Sequence, residues 1–280
     1  MLGAIASFSA MAVAGREVSF ALDTFEIMLF RSVVGLIIVA FAATTLGKWH
    51  QINRKQVSLH FARNIMHFIG QNLWFYAVTV IPLAQVFALE FTSPIWVILL
   101  SPLLLGERIT LIRATAALMG FVGVLVVTRP DVSGINTGVI MAASSAIFFA
   151  FTIIFTKQLT RTQSITCILF YLTVLQLGFG LISAGYDGDI ALPNEETLPW
   201  LVLIGVAGLL AHFCITNALA IAPATVVVPI DFVRLPVIAI IGMLLYGEAL
   251  DLWVLLGAGI IFAGNYLNIW SETRSAAILK

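Results

Sequence analysis

The sequence predicts an all-α integral membrane protein of ten transmembrane helices, arranged as two inverted five-helix repeats. Three observations carry that expectation. Of 280 residues, 61% are hydrophobic and only 10% charged, against roughly 25% charged in an ordinary soluble domain. The apolar residues gather in ten runs, each close to the about 20 residues that cross a bilayer as a helix. The chain also matches itself at a spacing of 141 residues.

The runs lie near 2–20, 24–47, 58–80, 83–104, 110–128, 135–158, 165–185, 198–222, 224–246 and 251–270. In the first, Ala12-Val13-Ala14 has the small-residue spacing of a signal-peptidase site. No positive charge precedes the run and segment 138–155 is its internal counterpart, so it reads as a helix. The second closes on Gly47-Lys48-Trp49-His50 and contains Arg31, expected to snorkel or to pair with Glu26 near the outer edge. The third places His67, Gln71 and Trp74 on one helical stripe. The fourth holds Glu90 and Trp96 and is interrupted by Pro94 and Pro102. Ala116 and Gly120 in the fifth run, and Gly259 and Ala263 in the tenth, are small enough for close helix approach.

Thr128-Arg129-Pro130-Asp131 separates the halves, giving repeats over 1–131 and 132–280. The sixth run carries Ser144, Ser145 and Thr152, whose hydroxyls are expected to bond to their own helix, and Phe149, which can stack against a planar substrate or fill space. Cys167 in the seventh and Cys214 in the eighth sit in apolar stretches, where they read as small hydrophobes rather than a disulfide or metal site. The eighth run aligns His212 with Thr216, and the ninth holds Asp231 and Arg234 between Pro229 and Pro236. No cofactor or metal is implied.

Alternate connections starting after the second run collect Lys48, Arg54, Lys55, Arg108, Arg113, Lys157, Arg161, Arg274 and Lys280, with Arg63 just inside the third run. The other set holds only Arg16 and Arg129. The positive-inside rule then puts both termini in the cytoplasm of a bacterial inner-membrane protein.

The 141-residue offset superposes Ala77 on Ala218, Pro82 on Pro223, Gly106-Glu107 on Gly247-Glu248 and Gly123 on Gly264. Five spans per half is an odd number, so the second half must run upside down. Inverted repeats characterise secondary transporters, whose substrate sits near the midplane between halves and whose access alternates. In the Gly-Glu element, glycine can end a helix left-handed. Glu107 and Glu248 can then cap the free N–H groups of the following helix.

The stretches Leu105-Gly106-Glu107-Arg108 with Gly120-Phe121-Val122-Gly123, and Tyr246-Gly247-Glu248 with Gly257-Ala258-Gly259 and Gly264, resemble the paired signature of EamA-type members of the drug/metabolite transporter superfamily. Within it, the chain looks most like bacterial exporters of aromatic amino acids. The resemblance implies ten helices, with spans 1–4 and 6–9 around a central cavity and spans 5 and 10 supporting them. It also implies a small-molecule substrate, an amino acid or similar metabolite, exported across the membrane.

A charge at the bilayer centre is expensive and normally lines a cavity or is paired, so Glu90, Asp231 and Arg234 are candidate site residues. Glu90 and Asp231 occupy equivalent repeat positions, as do Gln71 and His212. Arg234 can hold a substrate carboxylate or pair locally with Asp231. Glu90 or Asp231 can meet an ammonium or carry a coupling proton. His67, Gln71, Trp74, Trp96, His212 and Thr216 complete the candidate substrate-binding set, and Pro94, Pro102, Pro229 and Pro236 are candidate hinges. Neither a Gly-x-Ser-x-Gly turn nor a His-Glu-x-x-His zinc site is present, which speaks against an enzyme. Equally there is no Gly-x-x-x-x-Gly-Lys-Ser/Thr loop for ATP, and the balanced charge speaks against nucleic acid. The alternative to amino-acid export is a carrier of S-adenosylmethionine or a nucleotide-type metabolite, with Glu90 and Asp231 as counter-ions.

Overall fold

The computed structural model describes residues 1–106, 109–128, 136–186, 188–249 and 252–278. Glu107, Arg108, Arg129, Pro130, Asp131, Asp187 and Lys280 lie outside the described residues. Among those described, every regular element is helical: α1 (Leu2–Val18), α2 (Thr24–Thr45), α3 (Val57–Val80), α4 (Leu83–Glu90), α5 (Ser93–Leu104), α6 (Leu111–Thr128), α7 (Thr137–Thr160), α8 (Ile165–Ala184), α9 (Leu198–Ile221), α10 (Ala224–Val227), α11 (Arg234–Tyr246) and α12 (Leu252–Ile278). They make ten membrane spans, of which the fourth (α4 and α5) and the ninth (α10, a 3-10 turn over Val228–Val233, and α11) are broken.

Local chemistry fixes the ends. Asp23 and Glu26 form a reciprocal capping box at the start of α2, and Asn136 and Ser164 cap α7 and α8. Pro82 and Pro223, equivalent in the repeat, are the N-caps of the two broken spans. Gly106 and Gly247 follow those spans with φ of +69° and +64°, the left-handed conformation that terminates a helix and suits glycine. At 17 residues, α1 reaches about 26 Å, near the lower limit for crossing the hydrocarbon core.

The packing has a two-fold pattern. The principal partners are α3 with α7, α1 with α9, α2 with α8, and α6 with α12. Advancing by five spans converts α3–α7 into α9–α1 and maps the other two pairs onto themselves. Two five-span halves with an odd number of crossings therefore interlock in opposite senses. The contact between α6 and α12 is close because glycine supplies it. A Cβ on Gly123 would lie 2.5 Å from Ile261 Cγ1 and 2.7 Å from the Gly257 carbonyl, and one on Gly264 would lie 3.0 Å from the Ala116 carbonyl. Ala116 thus belongs to the seam. By contrast Gly259, expected there, has open space around it and Ala263 is exposed.

Large apolar side chains such as Phe41, Leu103, Ile182 and Leu244 are exposed on the outside, a surface that water would not tolerate at this extent but lipid does. The buried core runs between α1, α3, α4, α7, α9 and α11.

Candidate functional site

The helix breaks and the polar stripes meet in one central cavity of about 70 Å³. Its walls come from spans 1, 3, 4, 6, 8 and 9, through Phe8 and Met11, Arg63 to Trp74, Glu90 to Pro94, Phe149 to Thr156, His212 to Leu219, and Val228 with Asp231. The resemblance had placed spans 2 and 7 around the cavity as well. They pack against each other and supply no side chain to this lining.

At one side lies the charge cluster. Arg234, at the first turn of α11, donates from Nη2 to Glu90 Oε1 and to Asp231 Oδ2, both at 2.6 Å. The two repeat-equivalent carboxylates therefore share one guanidinium, itself 1% exposed. Glu90 Oε2 also accepts from Trp74 Nε1 at 2.7 Å, and Asp231 Oδ1 is buried without a partner among the described residues. Phe8, Phe87 and Phe91 surround the guanidinium, with ring centroids 4.7, 4.7 and 5.3 Å from its carbon. Arg234 is thus engaged by the protein's own carboxylates rather than left open to a substrate carboxylate. The cluster carries one positive and two negative groups.

His67 and His212 meet edge to face with centroids 4.6 Å apart, and Phe149 and Phe8 flank them. Both nitrogens of His67, Nε2 of His212 and the Thr216 hydroxyl are buried without a partner among the described residues. Of the nine residues singled out from the sequence, His67, Gln71, Trp74, Glu90, His212 and Asp231 line the cavity. Arg234 stands behind the carboxylates and Thr216 is fully buried behind His212. Trp96 is 37% exposed on the outside of α5 and away from the cavity, because the helix restarts at Ser93 and turns that face to lipid. The hydroxyls of Ser145 and Thr152 bond to the carbonyls of Ala142 and Phe148 on their own helix.

The proline positions follow helix geometry. Span 4 breaks at Phe91 and Thr92, and Pro94 sits in the first turn of α5, where a missing N–H costs nothing. Pro236 likewise falls in the first turn of α11, and Pro229 in the 3-10 turn. Pro102 lies inside α5 near its end.

Two arginines carry more weight than the sequence suggested. Arg63 belongs to the cavity wall, not to the membrane border, and is 1% exposed. Arg31 does not pair with Glu26, which is occupied by the backbone of Asp23 and Ala191. Among the described residues its one hydrogen bond is to Met28 Sδ at 3.5 Å, and it packs on Gly208, whose missing Cβ leaves the room. The signal available in sequence was the helical position of Arg63, four residues before His67 and on the same stripe.

Each end of the bundle is tied by a basic residue at a repeat-equivalent position. Arg16 donates from Nε to Val78 O at 2.9 Å and from Nη2 to Ile81 O at 2.7 Å, and forms an ion pair with Glu248. Residues 141 positions later repeat the arrangement: Lys157 Nζ donates to Leu219 O at 2.7 Å and to Ala222 O at 2.8 Å. Glu248 accepts from the backbone N–H of Leu83 at 3.1 and 3.0 Å. It thus caps the first N–H of the broken span in the other half, a partner that the sequence did not suggest. Its counterpart Glu107 lies outside the described residues.

The sequence pattern of the EamA-like transporter family matches residues 1–129 and 136–270. The chain belongs to the EamA-like transporter family. A riboflavin transporter of Vibrio cholerae is 29% identical over 263 residues, 92% of this chain and 87% of that protein. One of Rhizobium johnstonii is 32% identical over 219 residues, 77% and 71% of the two chains. An S-adenosylmethionine uptake transporter of Rickettsia bellii is 25% identical over 271 residues, 97% and 92%. A solved crystal structure at 15% identity superposes with a TM-score of 0.78 over 98% of this chain and 96% of that one, which shows the fold. This EamA-like protein is accordingly a multi-pass membrane transporter for a small molecule rather than an enzyme.

Proposed function

We propose that the protein is a secondary active transporter that takes up a metabolite built on a flat heterocyclic ring system, of the riboflavin or S-adenosylmethionine kind, across a bacterial inner membrane. The observation that carries this reading is the cavity itself: aromatic walls from Phe8, Trp74, Phe91 and Phe149, with unpartnered ring nitrogens of His67 and His212, whose rings meet edge to face, in the same lining. Aromatic faces stack on planar rings, and buried unpaired polar atoms call for a ligand's hydrogen bonds. Amino-acid export, placed first from the sequence, yields to its alternative because the relatives named above carry riboflavin and S-adenosylmethionine.

In this reading the halves 1–131 and 132–280 rock about the midplane, and both termini are cytoplasmic. The breaks before Pro94 and Pro236 bend as the halves move, with Pro229 and Pro102 at the flanks of the same two spans. The Arg16–Glu248 and Lys157 ties are latches that open alternately at the two faces. Glu90 and Asp231 are where a coupling proton would be held.

Uptake into liposomes carrying the purified protein, with labelled riboflavin, S-adenosylmethionine and phenylalanine and a pH gradient on or off, tests the reading. Saturable uptake of either heterocycle is expected. Uptake of phenylalanine alone would restore the amino-acid reading, and uptake of none would remove both.

A further inference from the structure

We propose that Arg63, flanked by His67 and His212, forms an oxyanion-binding end of the cavity, and that the transported molecule bears a carboxylate or a phosphate. This inference rests on the uptake reading above and narrows its substrate class.

Arg63 is 1% exposed in the wall of the cavity. Its guanidinium donates from Nε to Thr156 Oγ1 at 3.1 Å and from Nη1 to Asn64 Oδ1 at 3.2 Å, both neutral acceptors. Among the described residues its Nη2 has no acceptor and it forms no ion pair with a carboxylate. Arg31, also buried, has only Met28 Sδ among the described residues. A cation withdrawn from water without a counter-ion is strongly disfavoured and is retained where something else supplies the charge. The surrounding groups hold the fork in place. Thr156 spends its own proton on Thr152 O, so its oxygen is free to accept from Arg63. Gln176 fixes Asn64 from the far side by donating to both its carbonyl and its side-chain oxygen, at 2.8 and 3.2 Å. A planar guanidinium so held suits carboxylate and phosphate oxygens.

The opposite side of the cavity has the reverse sign, since Glu90 and Asp231 exceed Arg234 by one charge and Asp231 Oδ1 lacks a partner among the described residues. The cavity is therefore polarised. Widened from its present volume of about 70 Å³, a cavity of this polarity favours a ligand with an oxyanion at the Arg63 end, a flat ring against the aromatic walls, and a cation or N–H donor at the Asp231 end.

The test compares ligand pairs that differ by the oxyanion alone: riboflavin 5′-phosphate against riboflavin, S-adenosylmethionine against its decarboxylated form, and phenylalanine against phenethylamine. Binding to the purified full-length protein is followed by tryptophan fluorescence and calorimetry for the unmodified chain, Arg63→Gln and Arg63→Lys. In at least one pair the oxyanion-bearing member is expected to bind roughly tenfold or more tightly, the size of one charge-assisted hydrogen bond. Arg63→Gln should erase that preference while leaving the other member's affinity within about threefold. Should the glutamine variant not fold, Arg63→Lys, which keeps a point charge without the fork, should retain only part of the preference.

No preference in the unmodified protein, a preference that survives replacement of Arg63, or no binding of any of the six compounds overturns the proposal. Heterocycles that bind without preference would leave the uptake reading standing and this inference refuted. An Arg63-dependent preference seen with phenylalanine alone would do the reverse.

Discussion

Replacing Glu248 by alanine should release one end of the bundle. In the structure Glu248 neutralises Arg16 and receives the Leu83 N–H, so a single carboxylate ties α1, the start of α4 and the end of α11. Removing one partner of a fully buried ion pair costs about 3–5 kcal/mol. Here the side chains remain 13% and 15% exposed, which lowers that to about 2 kcal/mol. The lost cap on α4 adds about 1 kcal/mol. If these contacts exist only while that face is closed, the full sum of about 3 kcal/mol shifts the closed–open balance by on the order of a hundredfold. Glu248→Gln keeps a carbonyl acceptor for Leu83 and should produce a smaller shift.

The assay places a reporter thiol in the cavity, Met11→Cys, in a chain carrying Cys167→Ala and Cys214→Ala. Sided vesicles are then labelled with a membrane-impermeant maleimide. Met11 is buried in the cavity wall, so its labelling rate follows opening. Glu248→Ala should raise the rate from the Arg16 face by on the order of tenfold or more, and Lys157→Ala should raise it from the opposite face. Rates within about twofold of the parent from both faces, in variants that purify as folded protein, would refute the latch argument.

Two further outcomes follow from the geometry. Glu90→Gln leaves Arg234 with one full ion pair and Trp74 with a weaker acceptor. It should reduce transport by about tenfold or more and alter tryptophan emission; if it and Asp231→Asn both transport at the native rate, the carboxylates are scaffold. Gly123→Leu should destabilise the α6–α12 seam by about 1–3 kcal/mol through overpacking against Ile261 and the Gly257 carbonyl. Gly259→Leu, with nothing within 4 Å of its Cβ position, is the control: equal melting temperatures for the two variants would contradict the packing account.

The helices were legible because bilayer thickness imposes one length on every span, and apolar run length is a one-dimensional property. The expected run 24–47 became α2 over Thr24–Thr45, and 198–222 became α9 over Leu198–Ile221. The inverted repeat was equally legible, since Pro82 and Pro223 or Gly106 and Gly247 mark the same turns in both halves and an odd span number inverts the second. The partners of the charges were not. Glu26 lies five residues from Arg31 in sequence, yet it caps its own helix and binds Ala191 while Arg31 turns inward. Glu248 reaches Leu83, 165 residues away, a partner that no local spacing indicates. Sequence spacing places side chains on helix faces, but tertiary packing decides which faces meet. That is why Trp96, on a polar-looking broken span, points to lipid, while Arg63, which read as a border charge, faces the cavity.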